Sequence, residues 1–145
     1  VNIVRGEFHF IYNTDKYDST ISFFRDGLEL PVIAAWDEGP EDRGTVFRAA
    51  SGIIEVMAHP ESNPENWKVY SPKLLQGANL AFEVDDVERW YQHALDKKLA
   101  IKHPLEEFNW GQRGFALLEP NGLVVFIYSP LVTGMEASAA NLEEV

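Results

Sequence analysis

A chain of 145 residues, 46% hydrophobic and 24% charged, suffices for one globular domain with a real core and is not a disordered segment. Its formal net charge of −11 disfavours nucleic acid and anionic membrane as partners and suits a neutral or cationic ligand. Cysteine is absent, which excludes disulfides and thiol chemistry, and no apolar run resembles a signal peptide or a bilayer span, so a cytoplasmic protein is expected.

In chain order, Glu7 to Asn13 reads as a strand rich in aromatic residues. Asp15 to Asp26 reads as a helix, with Ile21, Phe24 and Leu28 at helical spacing, Asp18 or Ser19 as its cap and Gly27 as its stop. Leu28 to Trp36 is a second strand, and residues 37–42 form a polar turn. Thr45 to Ala49 and Ile53 to Met57 form a hairpin over Ser51-Gly52. Residues 60–76 are a Pro-rich linker. The same order then returns: strand Asn79 to Val84, helix Asp86 to Lys98, strand Ala100 to His103, a loop, and strands Phe115 to Leu118 and Leu123 to Tyr128. The last two strands are joined through Glu119-Pro120-Asn121-Gly122. Residues 131–145 form an alanine-rich tail.

The chain is thus written twice. Arg43-Gly44 recurs as Arg113-Gly114 and Gly52 as Gly122, each 70 positions on. The same offset lays the strand from Phe8 on the strand from Ala78, and Tyr17 and Ile21 on Val87 and Tyr91. A long period seen only twice implies two fused supersecondary modules, about 5–59 and 77–130, not a stacked array.

With Leu80-Ala81-Phe82-Glu83-Val84-Asp85-Asp86-Val87, Trp110-Gly111-Gln112-Arg113-Gly114-Phe115, Glu119-Pro120-Asn121-Gly122, Phe23-Phe24 and Gly27-Leu28 in order on a doubled chain, the sequence resembles the glyoxalase / bleomycin-resistance / extradiol-dioxygenase superfamily, the vicinal-oxygen-chelate fold. The resemblance covers about Glu7 to Pro130 and implies an α+β fold: two tandem βαβββ modules forming a curved mixed sheet, a half-barrel around a cleft. It does not fix the activity, because the superfamily holds lyases, epimerases, dioxygenases and metal-free antibiotic-binding proteins.

The resemblance also implies where a metal would sit: one ligand from the first strand and one from the last strand of each module. In module one these positions are His9 and Glu55, each alternating with residues of the opposite face. Phe8, Phe10 and Tyr12 are expected to pack under the helix, which turns His9 to the cleft. Glu55, between Ile54 and Val56, needs solvent, a partner or a ligand. In module two Asn79 replaces the first ligand, and the second falls on Val125 by the plain offset or on Phe126 if the turn adds a residue. Two donors and an amide fall short of a zinc or iron site. No cofactor is therefore expected; a divalent metal on His9 and Glu55 is the alternative.

What remains is a pocket for a small organic ligand. Its expected lining is Asn79, Glu83, Phe126 and Tyr128 by strand alternation, Trp36 and Trp110 as stacking surfaces, and Arg113 as a partner for a ligand acid or for Glu55. Phe23, Phe24, Phe47 and Phe115 are assigned to the core. His59, His93 and His103 do not extend the site by spacing, and Glu106-Glu107 reads as loop charge. The leading function is small-molecule binding. The alternatives are a metal-dependent lyase, epimerase or dioxygenase using His9 and Glu55, and a metal-free enzyme with Glu55 or His9 as general base. A homodimer is expected, because free strand edges and the cleft rim need cover.

Overall fold

The computed structural model describes residues 7–58 and 77–131, so the linker and all but the first residue of the tail lie outside the described residues. The chain divides into two compact units, Val1–Gln76 and Gly77–Val145. Each carries one open four-stranded mixed sheet, an α+β architecture as expected.

In the first unit β1 is Phe8–Thr14, α1 is Tyr17–Ser22, and β2, β3 and β4 are Val32–Asp37, Arg43–Ala49 and Gly52–Ala58. The sheet order is β1-β4-β3-β2. After α1 the chain enters at the far edge and meanders back, so β4 lies parallel to β1 and the remaining pairs are antiparallel. Ile54 and Val56 of β4 and Phe47 of β3 share one face, and Ile21, Phe24 and Leu28 are buried with them. The rings of Phe24 and Phe47, both fully buried, lie 5.6 Å apart. Each contributes about 1.5–3 kcal/mol by leaving water. Of the three β1 aromatics expected under the helix, Tyr12 is buried, Phe10 is half-buried against it and Phe8 is 74% exposed. Phe8 opens an edge strand with only β4 beside it.

The first helix differs from its expected form. After Ser22 it widens into a π turn over Phe23–Gly27. Its cap position is Lys16, not Asp18 or Ser19, and no side chain caps it. Asp18 is turned instead toward Arg43. The left-handed residue that ends the segment is Glu29, at φ 57°, not Gly27. The π turn inserts one residue: the bond that closes this end runs from Leu30 N–H to Phe24 C=O, whereas its module-two counterpart runs from Leu99 N–H to Ala94 C=O.

In the second unit β5 is Asn79–Glu83, α2 is Val87–Asp96, and β6, β7 and β8 are Ile101–Phe108, Gln112–Leu118 and Val124–Pro130, in the order β5-β8-β7-β6. Asp86 caps α2, accepting from Arg89 N–H at 3.1 Å. Phe115, Leu117, Val125 and Ile127 are buried with Val87 and Ala94 of the helix, and Tyr91 meets Phe115 edge-on at 5.0 Å. The loop expected after His103 is instead strand as far as Phe108. Pro104 is tolerated because β6 is an edge strand and the pairing slips between His103 and Glu106. Glu106 and Glu107 are therefore strand residues and not loop charge. Glu119 is buried; its carboxylate accepts from Asn121 N–H and from Asn121 Nδ2 at 2.9 Å, which folds the turn into β8. Among the described residues no helix is long and apolar enough to cross a membrane.

Candidate functional site

Strand register decides which side chains share a face. In module one His9 lies opposite Ile53 and Ile11 opposite Glu55, so His9 and Glu55 stand two positions apart on the same face, away from Ile54 and Val56. Val46 lies opposite Glu55, and Trp36 opposite Gly44, on that face. His9 is exposed. Glu55 is half-buried between Ile53 and Met57, which are both buried. Glu55 has no hydrogen-bond or ion-pair partner among the described residues.

In module two the register removes the ambiguity of the last ligand position. Asn79 lies opposite Val124 and Ala81 opposite Phe126, as His9 lies opposite Ile53 and Ile11 opposite Glu55. The turn at Glu119–Gly122 adds one residue, and the counterpart of Glu55 is Phe126. Val125 is fully buried on the opposite face. At the two positions in each unit where the resemblance implies a metal ligand, the first unit offers an imidazole and a carboxylate and the second an amide and a phenyl ring. That set does not fit the three or four N, O or S ligands that zinc takes. Among the described residues no group of three His, Asp or Glu is placed to hold a metal ion.

The repeated Arg-Gly pair has two roles, one on each face of its sheet. Arg43 pairs with Asp18 of α1 at 3.1 Å and with Asp37 of β2 at 3.4 Å, and stacks over Tyr17. Arg113 repeats this with Glu88 of α2 at 2.6 Å and Glu107 of β6 at 3.9 Å. The expectation that Arg113 lines the ligand face is thereby corrected. Its neighbours Gln112 and Gly114 share the face of Phe126 and Tyr128, and alternation turns Arg113 to the helix side, where the helix carboxylate binds it. The Glu88 carboxyl is held below the usual carboxylate range, first by a hydrogen bond from its own backbone at the helix start and then by Arg113. The glycine serves the other face. A Cβ on Gly44 would meet the Trp36 ring at 2.1 Å, and one on Gly114 would meet Phe126 at 2.6 Å. Each glycine is the floor under an aromatic ring.

In module two that ring belongs to a continuous aromatic ladder. Trp110 stacks on Phe108 at 4.4 Å and 11°; Phe108 meets Phe126 at 5.8 Å; Phe126 stacks on Tyr128 at 5.6 Å and 14°. Trp110, 56% exposed, is oriented by its indole N–H donating to Gln112 Oε1 at 2.9 Å. Glu83, opposite Tyr128, and Asn79 stand exposed on the same face. Phe108 and His103 were missed by sequence reasoning. His103 lies 5.7 Å from Phe108, and its Nε2 hydrogen-bonds Glu106. No spacing rule could have found the pair, because it depends on the irregularity in β6. On the helix side of module one, a separate pocket of about 380 Å3 lies between α1 and the β2–β3 edge, lined by Tyr17, Asp18, Ile21, Arg25, Asp37 and Arg43 among others. Its arginines are already paired, Arg25 with Asp26 and Arg43 with Asp18 and Asp37.

Duplicated βαβββ units with helices on one face and a ring-bearing face opposite define a class of paired-module proteins. The chain belongs to the Glyoxalase/Bleomycin resistance protein/Dioxygenase superfamily, whose family model matches residues 8–127. Among solved structures it is similar to a protein of unknown function from Agrobacterium tumefaciens str. C58 (23% identity, 90% of this chain and 98% of that one, TM-score 0.66). It is also similar to a lactoylglutathione lyase from Agrobacterium tumefaciens (15% identity, 88% and 95%, TM-score 0.67). A third is TnmS3, an antibiotic binding protein from Streptomyces sp. CB03234 (15% identity, 90% and 99%, TM-score 0.66). At these identities the likeness is one of fold. No curated protein is significantly similar in sequence.

Proposed function

We propose that the protein is a metal-independent small-molecule-binding member of this superfamily, taking a flat, neutral or cationic organic ligand. The observation that carries this reading is the replacement at the position matching Glu55. Phe126 stands there, and it joins Trp110, Phe108 and Tyr128 in a ladder of π faces where a ligating carboxylate would be needed. Aromatic rings stack on flat ligands with about 0.5–1.5 kcal/mol per pair beyond area burial. Glu83 on the ladder's face, with the net charge of −11, favours a cation over an anion. The naming of TnmS3 as an antibiotic binding protein on the same fold supports the same reading.

The test joins two measurements. Protein purified without chelator is expected to contain no stoichiometric zinc, iron, manganese or nickel. It is also expected to bind fused-ring probes such as 2-naphthol or proflavine with quenching of tryptophan emission. One metal ion per chain, or no quenching by either probe, overturns the proposal.

A second reading rests on Glu55. A half-buried carboxylate without a partner is a candidate general base, which makes the protein a metal-free enzyme. Turnover of a 2-oxoaldehyde–thiol adduct or a catechol, lost in Glu55→Gln, would establish that reading over pure binding. We also take the protein to be a homodimer: edge strand β1 leaves Phe8 and Ile11 74% and 48% exposed. Sedimentation of a 16.4 kDa species alone would reject it.

A further inference from the structure

His103 and Glu106 are three residues apart, which in a regular strand would put them on opposite faces. The irregularity around Pro104 changes this: His103 lies opposite Ala116 and Glu106 opposite Gly114, so three residues of β6 span two of β7. Both side chains therefore reach the face that carries the aromatic ladder. The imidazole sits beside Phe108 at 5.7 Å, and Phe108 in turn touches Phe126 and Trp110. In the neutral tautomer that donates Nε2–H to the Glu106 carboxylate, Nδ1 is the ring's acceptor.

The backbone floor beside this pair is made of small residues, with the Phe126 ring lying over Gly114 and the Phe108 ring close to both the imidazole and Phe126. Ala116 lies between His103 and Phe126 across the sheet, and Gly114 lies between Glu106 and Tyr128. Strands stand about 4.8 Å apart, so His103 and Phe126 are separated by about 10 Å of backbone, the span of a fused two-ring molecule. A molecule of that span lying on the Phe108 and Phe126 rings would bring its edge to the imidazole.

We infer that the His103–Glu106 pair is a recognition site for a hydroxyl or N–H donor on the edge of a planar aromatic ligand, with His103 Nδ1 as acceptor and Glu106 as the positioning residue that fixes the tautomer. The inference rests on the proposed aromatic binding face and adds the chemical class of the ligand: a phenol or aryl amine, not a plain hydrocarbon or an ether.

The experiment compares 2-naphthol with its methyl ether, 2-methoxynaphthalene, by quenching of tryptophan emission. Wild-type protein is expected to bind the naphthol about tenfold more tightly, as one hydrogen bond predicts. His103→Phe is expected to abolish the preference for the naphthol over the ether, whatever the absolute affinities become, and an unchanged far-ultraviolet dichroism spectrum checks that the variant is folded. Glu106→Gln is expected to lose most of the preference. Equal binding of both probes by wild type, or a preference that survives His103→Phe, overturns the inference and leaves the aromatic face standing. Failure of both naphthyl probes to bind overturns this inference, and the proposed function falls with it only if proflavine also fails to quench.

Discussion

Arg113 donates to Glu88 across the gap between sheet and helix in module two, as Arg43 donates to Asp18 in module one, both partners displaced by the same 70 positions. A second carboxylate repeats as well, Asp37 becoming Glu107. The repeat thus preserves a three-residue clamp between each helix and its sheet. The clamp predicts an acid response. Glu88 is depressed in the folded state, so its contribution is present above the ordinary carboxylate range and is lost as pH falls through the lowered folded value. Glu88 is exposed, so the effect is modest and weakens with salt. In carboxyl NMR titrations, Arg113→Gln is expected to move the Glu88 midpoint upward in part only. The hydrogen bond from its own backbone at the helix start remains. A midpoint that does not move contradicts this assignment.

Gly114→Ala is expected to displace the Phe126 ring, because the new methyl would lie 2.6 Å from it. Overpacking of this kind costs about 1–3 kcal/mol. The near-ultraviolet dichroism of the stacked Phe126–Tyr128 pair should fall, and so should affinity for fused-ring probes. Gly44→Ala should shift Trp36 emission in the same way while sparing module two. Unchanged probe affinity in Gly114→Ala would detach the ladder from binding.

Glu55→Gln keeps the shape of a half-buried side chain and removes a charge without a partner, so stability is expected to hold or rise slightly. Turnover of a 2-oxoaldehyde–thiol adduct or a catechol, if the protein is an enzyme, should drop by about tenfold or more. A variant that unfolds while its surviving fraction binds normally would make Glu55 structural.

Lys98 ends α2 at φ 56°, with Lys98 N–H bonded to Leu95 C=O and Leu99 N–H to Ala94 C=O. A side chain in that region carries about 1 kcal/mol of strain that glycine avoids. Lys98→Gly is therefore expected to raise the midpoint of thermal unfolding by about 2–4 °C. A lowered midpoint would mean that the lysine side chain contributes more than the strain it brings.

The element order was legible in the sequence because the two halves check each other: an ambiguous run such as Leu80–Phe82 is read through its better-marked twin. The core aromatics Phe24, Phe47 and Phe115 followed from periodicity and burial. The departures have local causes that composition does not encode. The π turn at Phe23–Gly27 keeps helical spacing while adding a residue, so no signal marked it. Arg113 looked available for a ligand because sequence shows a charge but not the carboxylate waiting on the helix. Pro104 suggested a loop, since the sequence does not say which strand lies at the edge. His103 escaped for that same reason.

The division of labour within Arg43-Gly44 and Arg113-Gly114 also bears on how such a protein can change its chemistry. The clamps that tie helix to sheet lie on one side of the backbone, and the aromatic rings proposed to meet a ligand lie on the other. Substitutions at Asn79, Ala81, Phe126 or Trp110 leave the clamp, the buried Phe115 and the Asp86 cap untouched. Specificity in this half can drift with little penalty in folding, so a library confined to those four positions should yield mostly folded proteins with altered ligand preference.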